Sequence, residues 1–275
     1  MADKNKPKLV KYEDNEWEFV FPPSIESEEV EENFFFGIEQ LGKNDLVAET
    51  ILKSLIYKNP FHLDAYAHLS IAFKNQEKTF ESFLTAEKAY NLGKSLLPKK
   101  FDIKKDKLPW GYWDNRPFLR VCHTLGLEYQ HRKEYQKAID IYYEILQYNS
   151  DDNQGIRYLL LECLFLLKDY KKAEEFINKY PDDWSIDFLY GKLIIEILKD
   201  NKDVKTLLDE AIECNEFLPK EIIKTKHKAP SAGKFDEFGV VSGSVQEAFM
   251  YWNRNKKLYK NKKIIDFFKV NFKNS

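Results

Sequence analysis

The chain holds 275 residues, 43% of them hydrophobic, 32% charged and 15% aromatic, with a net charge of −2. That is enough apolar material for a sizeable core, and the charges are interspersed along amphipathic runs, as in helices with one wet face. No apolar run approaches the ~18 residues of a membrane span, and the first residues lack the apolar stretch and cleavage site of a signal peptide. Cys122, Cys163 and Cys214 stand too far apart for a zinc or disulfide framework, so a reduced, cytoplasmic protein is expected, with no metal and no cofactor.

Residues 9–24, LVKYEDNEWEFVFPPS, alternate: Trp17, Phe19 and Phe21 fall on one side, Glu16, Glu18 and Val20 on the other. The period predicts an extended arm over 1–23 with one sticky face, ended by Pro22 and Pro23. The glutamates of SIESEEVEEN then suit a helix N-terminus.

From 24 to 218 a pattern of helix pairs recurs, and residues 121–150 show it most fully. Gly126 and Ala138 are small where two antiparallel helices cross, while Tyr129, Tyr142 and Ile145 fill the groove between them. An opening pair at 26–58, with Ala48, Leu52 and Leu55, fits once Gly37 is displaced by one residue. Tyr66, Leu69, Ser70 and Phe73 then combine with Ala86, Tyr90 and Gly93. Further on, Ile156, Leu159, Leu160 and Cys163 go with Ala173, and Gly191 goes with Ala211. Pro60, Pro98, Pro181 and Pro219 fall just past helical runs. Ser150, Asp151 and Asp152 offer side-chain acceptors to a helix start, with Gln154 completing a capping box from Asp151.

This order of small and large residues resembles the tetratricopeptide repeat, a helix–turn–helix of ~34 residues. The resemblance implies an all-α, right-handed α-solenoid of about five such helix pairs. It further implies a scaffold or adaptor that binds a peptide or protein segment along the concave face lined by the first helix of each pair. On that register the groove positions are Arg120, His123 and Gln130, then Gln154, Arg157 and Tyr158, with His68 and Lys192 from other pairs. Arg120, His123 and Arg157 would share one neighbourhood, where two guanidiniums can hold a carboxylate; the alternative is that Arg157 pairs with Asp151 or Asp152. The lysine and asparagine set of the family's peptide clamp does not recur at matching positions.

Residues 99–115 interrupt the array. In LPWGYWDNRPF (108–118), Pro109 and Gly111 prevent continuation as helix. Trp110, Tyr112 and Trp113 carry too much apolar surface to stand alone in water. They are expected either to wedge the wider gap between two pairs, with Asp114 or Asn115 capping the next helix, or to form an aromatic lip on the groove with Arg116 as its charge. The arm, in turn, would lie in the groove or seal the first pair.

Residues 219–275 read as a loop followed by two short amphipathic helices, 244–259 and 262–272, that cap the last pair. Residues 220–275 hold 13 Lys and Arg against 5 Asp and Glu. That excess supplies the alternative function, nucleic-acid or anionic-surface binding, with Tyr251, Trp252 and Tyr259 available to stack. His62, His68, His123, His131 and His227 are scattered and match no catalytic motif, so no enzyme activity is expected. A monomer or weak homodimer without a membrane partner completes the expectation.

Overall fold

The computed structural model describes residues 5–231 and 239–272; part of the predicted 226–244 loop therefore lies outside the described residues. The chain is mainly helical and divides into two compact units, Met1–Leu160 and Leu161–Ser275, the division falling within one helix.

Unit 1 opens with strands β1 (Lys8–Lys11) and β2 (Trp17–Val20), paired antiparallel with Leu9 opposite Phe19. The arm is thus a hairpin and not the single extended segment expected. Its turn forms because the Glu16 carbonyl accepts from the Tyr12 and Glu13 amides, 2.9 and 3.3 Å away, across a polar Glu-Asp-Asn run suited to turns. The period-2 reading holds: Trp17, Phe19 and Phe21 are buried while Val20 is exposed.

Next come α1 (Pro23–Glu26) and α2 (Glu28–Glu39), separated by an extended Ser27. The pairs follow: α2 with α3 (Asp45–Lys58), α4 (Leu63–Asn75) with α5 (Thr79–Lys94), and α6 (Arg116–His131) with α7 (Tyr135–Tyr148). The helix α8 (Ile156–Leu167) contains the division between the units. Unit 2 continues with α9 (Tyr170–Ile177), α10 (Ile186–Leu198), α11 (Lys205–Cys214), α12 (Phe217–Ile223), α13 (Val245–Asn255) and α14 (Lys262–Phe272).

The small residues act as the pattern requires. A methyl group built on Gly126 would lie 2.4 Å from the Tyr142 ring, and one on Gly93 would lie 2.3 Å from Phe118. In unit 2 the corresponding position on Gly191 lies 3.2 Å from Phe165 and Ile177, and in the opening pair Gly37 lies 3.1 Å from Ile51. At one crossing serines replace the glycine–aromatic contact: the Ser70 and Ser82 hydroxyls are 2.9 Å apart, and Ser82 donates to Glu128 at 3.0 Å.

The turn inside each helix pair repeats as well. Gly42, Glu77, Lys133, Lys168 and Asp200 all adopt left-handed φ, at 74°, 61°, 64°, 59° and 60°. After four of them the next amide returns to a carbonyl five residues back, as from Lys78 to Phe73 and from Glu134 to Tyr129, both at 2.9 Å. This is the left-handed helix stop with its 6→1 bond. Only the first of the five is glycine, which is why composition did not reveal the motif.

The insertion after α5 packs along one end of α7. Leu108, fully buried, donates its amide to the Tyr148 carbonyl at 2.8 Å, and Lys107 Nζ reaches the Gln147 carbonyl at 2.7 Å. Two orphan carbonyls of α7 are thereby satisfied. Asn115 stands at the start of α6, but its side chain does not cap that helix, contrary to expectation. It ties the insertion to the arm instead: its amide donates to the Trp17 and Pro109 carbonyls at 2.9 and 3.1 Å, and its oxygen accepts from the Phe19 amide at 3.1 Å.

In unit 2, Pro219 lies inside the first turn of α12 and not beyond a helix, a position proline tolerates because its missing donor would be unpaired there. The two predicted C-terminal helices form as α13 and α14. Tyr190, Tyr251, Tyr259 and Phe268 make a buried ring cluster with ring centroids 6.2 to 6.4 Å apart, and Arg254 of α13 reaches Asp187 of α10.

Candidate functional site

Unit 1 holds a pocket of about 340 Å³ where α1, α2, the start of α4, the start of α6 and the insertion come together. Each wall follows from local sequence. Phe34 and Phe35 are adjacent on α2, so one ring turns inward and the other outward; Phe34 is half-buried and Phe35 is 57% exposed. Phe34 packs against His62 at 5.3 Å and edge-on to His68 at 5.2 Å. Trp113, from the short 3-10 turn before α6, is 75% exposed.

Charge at the pocket floor is internally matched. Asp64, in the first turn of α4, accepts two bonds from the Arg120 guanidinium, 2.7 Å from Nε and 2.5 Å from Nη2. His68 lies one turn along, its Nδ1 2.8 Å from the Asp64 carbonyl. His62 caps α4, accepting the Ala65 amide on Nδ1 at 3.3 Å. Its Nε2 is buried and has no hydrogen-bond partner among the described residues. Burial lowers the His62 pKa to about 4, so the ring is neutral, and the occupied Nδ1 leaves the proton on Nε2.

The rim is acidic. Glu26 and Asp114 are near neighbours, and both carboxyl pKa values are raised, first by burial; Asp114 then raises Glu26 further by repulsion. Burial and Asp114 likewise raise Glu18.

The groove positions read from sequence fall into separate groups. His68 and Arg120 meet through Asp64. His123 follows Arg120 by one turn of α6; Gln154 comes within 3.4 Å of its Nδ1 and donates to the Leu119 carbonyl at 3.3 Å. Burial lowers the His123 pKa to about 4. Arg157 bonds Asp152 at 3.1 Å and the Tyr158 hydroxyl at 2.6 Å. The two guanidiniums expected to grip a shared carboxylate are therefore each engaged by an internal acid, because Asp64 and Asp152 sit at the helix starts beside them. Asp152 also accepts the Ile156 and Arg157 amides, so it caps α8 in place of the predicted Asp151–Gln154 box. Gln130 accepts the Tyr142 hydroxyl at 2.8 Å. Lys192 belongs to unit 2, exposed on α10.

The aromatic stretch divides. Tyr112 turns inward, bonding Glu16 at 2.6 Å and packing on Tyr12. The Arg116 guanidinium lies between Trp110 and Trp113, 5.1 and 4.6 Å from their ring centroids, and its Nε donates to the Trp110 carbonyl. The stacking residues expected for nucleic acid are differently placed: Tyr251 and Tyr259 are buried, and Trp252 lies flat on His227, ring centroids 3.5 Å apart. Among the described residues no cluster of His, Cys, Asp and Glu is placed to hold a metal ion, and no helix is long and apolar enough to cross a membrane.

A tetratricopeptide-repeat family model matches residues 130–183, which include α7, α8 and α9. Over those residues the chain matches the tetratricopeptide repeat. Among solved structures, a tetratricopeptide repeat protein from Parabacteroides merdae is 19% identical, with TM-score 0.50, covering 66% of this chain and 65% of its own. YrrB, described as a TPR protein with an unusual peptide-binding site, is 16% identical with TM-score 0.49, covering 69% of this chain and 89% of its own. The first of these likenesses is one of fold alone. No curated protein matches the sequence.

Proposed function

We propose that this TPR protein is a scaffold or adaptor that holds a segment of another protein in the pocket of unit 1. TPR arrays are protein-interaction folds, and in such repeats the extended surface of the stacked helices is the usual binding face. The observation that carries the reading is the pocket itself: a concavity on the first helices of the pairs, walled by the exposed rings of Phe35 and Trp113, with a buried donor on His62 left unpaired. Apolar pockets with a few convergent polar groups are the commonest form of binding site.

A photo-crosslinking residue in place of Phe35 tests this, with the same residue in place of Tyr57 as control. Tyr57 is 91% exposed on α3, outside the pocket lining. Crosslinks to a discrete partner from position 35, lost on Trp113→Ala and absent from position 57, are expected. Equal crosslinking from both positions would refute the reading.

A further inference from the structure

We propose that the pocket of unit 1 takes a lysine or arginine side chain, flanked by an apolar residue, from the bound segment: Glu26, Glu31 and Asp114 supply the counter-charge, and the rings of Phe35 and Trp113 supply the apolar wall. The inference rests on the reading that this pocket holds a protein segment, and names the chemistry of what enters.

Charge balance is the first argument. Four acidic side chains and one arginine line the pocket: Glu26, Glu31, Asp64, Asp114 and Arg120. Arg120 is spent on Asp64 in a two-bond contact. The remaining three carboxylates form no ion pair among the described residues, and what acts on Glu26 is burial and other acids, Asp114 and Glu31. Like charges gathered without a cation raise the energy of the empty pocket, and an entering cation relieves that repulsion. An anionic guest would add to it. A free C-terminal carboxylate, the guest that paired arginines would favour, meets no available guanidinium here.

Shape is the second. Phe35 and Trp113 present exposed rings beside the acids, Trp113 with Arg116 over one side of it. Lysine and arginine lay their methylene stems along apolar surface while the charged head stays at the polar edge, and ring faces attract such heads. Ile25, Leu63 and Pro117 give the adjoining residue an apolar seat.

The test uses the full chain and a phage-displayed random peptide library, selected on the wild type and on the Glu26→Gln/Asp114→Asn double variant. Both substituted side chains contribute to the rim, and thermal unfolding confirms that the variant is folded. Wild type is expected to enrich Lys or Arg beside an aromatic or aliphatic residue, and the variant to lose that enrichment. A recovered peptide is then remade with norleucine for its lysine, which should weaken binding by about tenfold in fluorescence anisotropy, and less so at high salt. Enriched peptides that are acidic or charge-neutral, or a lysine peptide no tighter than its norleucine form, would overturn the cation assignment while leaving segment binding intact. Absence of any enriched peptide would overturn both.

Discussion

Trp113 in unit 1 and Trp252 in unit 2 both belong to irregular additions to the repeat pattern, and the two rings are treated in opposite ways. Trp252 lies flat on His227 and against Phe249, beside a core in which Tyr190, Tyr251, Tyr259 and Phe268 contact one another. His227 in turn bonds the buried Glu221 at 2.8 Å. The addition in unit 2 is packed on its inner face as a cap should be. The addition in unit 1 is finished on one side only. Leu108, Tyr112 and Asn115 turn toward α7 and the arm, while Trp113 keeps 75% of its surface. Aromatic residues of similar composition are thus packed in one place and left exposed in the other.

The largest effects should come from the fully buried ring at the centre of each addition. Phe118 is fully buried against Phe19, Tyr148 and Gly93, and Phe268 is fully buried against Tyr190 and Tyr259. Phe118→Ala and Phe268→Ala should each cost about 3–5 kcal/mol, from lost transfer energy plus a cavity. Urea unfolding measures the total. Hydrogen exchange read by mass spectrometry locates it, with protection lost in the unit that carries the change. A loss below about 1 kcal/mol for either would show that the unit's core does not depend on that ring.

Acid should separate the units next. His62 and His123, both in unit 1, have folded-state pKa values near 4, below the ordinary histidine value of about 6.5. The unfolded chain therefore binds protons that the folded chain refuses between pH 6.5 and 4. Stability is retained above that window and falls as pH drops through it, by on the order of 2–3 kcal/mol per histidine at pH 4. Asp187 in unit 2 has the opposite sign. Burial raises its pKa despite Arg254, so its folded form favours the proton and gains from acid. Unit 1 should lose exchange protection first on acidification. His62→Asn, which keeps the helix cap, should flatten part of the slope in unit 1 and none in unit 2; an unchanged slope would show that His62 does not carry it.

The helix pairs were legible because crossings need small residues at fixed offsets: Gly126, Gly93 and Gly191 each face the ring or branched chain that the register implies. The hairpin was half legible. Alternation placed Trp17, Phe19 and Phe21 on the buried side, but pairing depends on Lys107 and Asn115, about ninety and more residues away, and no local signal encodes that. The pocket was the least legible. Arg120 was read as a guanidinium open to a guest carboxylate, and nothing within α4 or α6 alone reveals that Asp64 engages it. Phe34, Phe35 and His62 were missed for a related reason. An aromatic pair on an amphipathic helix and a histidine at a helix start have ordinary structural uses, and only their convergence on one cavity distinguishes them.

The smallest expected effect tests the comparison most directly. Trp113→Ala removes a ring that contacts the Arg116 guanidinium at 4.6 Å. An exposed cation–π contact of that kind is worth about 0.5–1 kcal/mol, and Trp110 remains on the other side of Arg116 to retain part of it. The folding cost should therefore be near 0.5 kcal/mol or below. Trp252→Ala removes a ring stacked on His227 and should cost about 1–2 kcal/mol through lost burial and ring contact. Segment binding should reverse that order, with Trp113→Ala weakening crosslinking from position 35 and Trp252→Ala leaving it unchanged. If Trp113→Ala proved the more destabilising of the two, its ring would have to be a packing element, and the open wall of the pocket would have to be reassigned to the interior of the insertion.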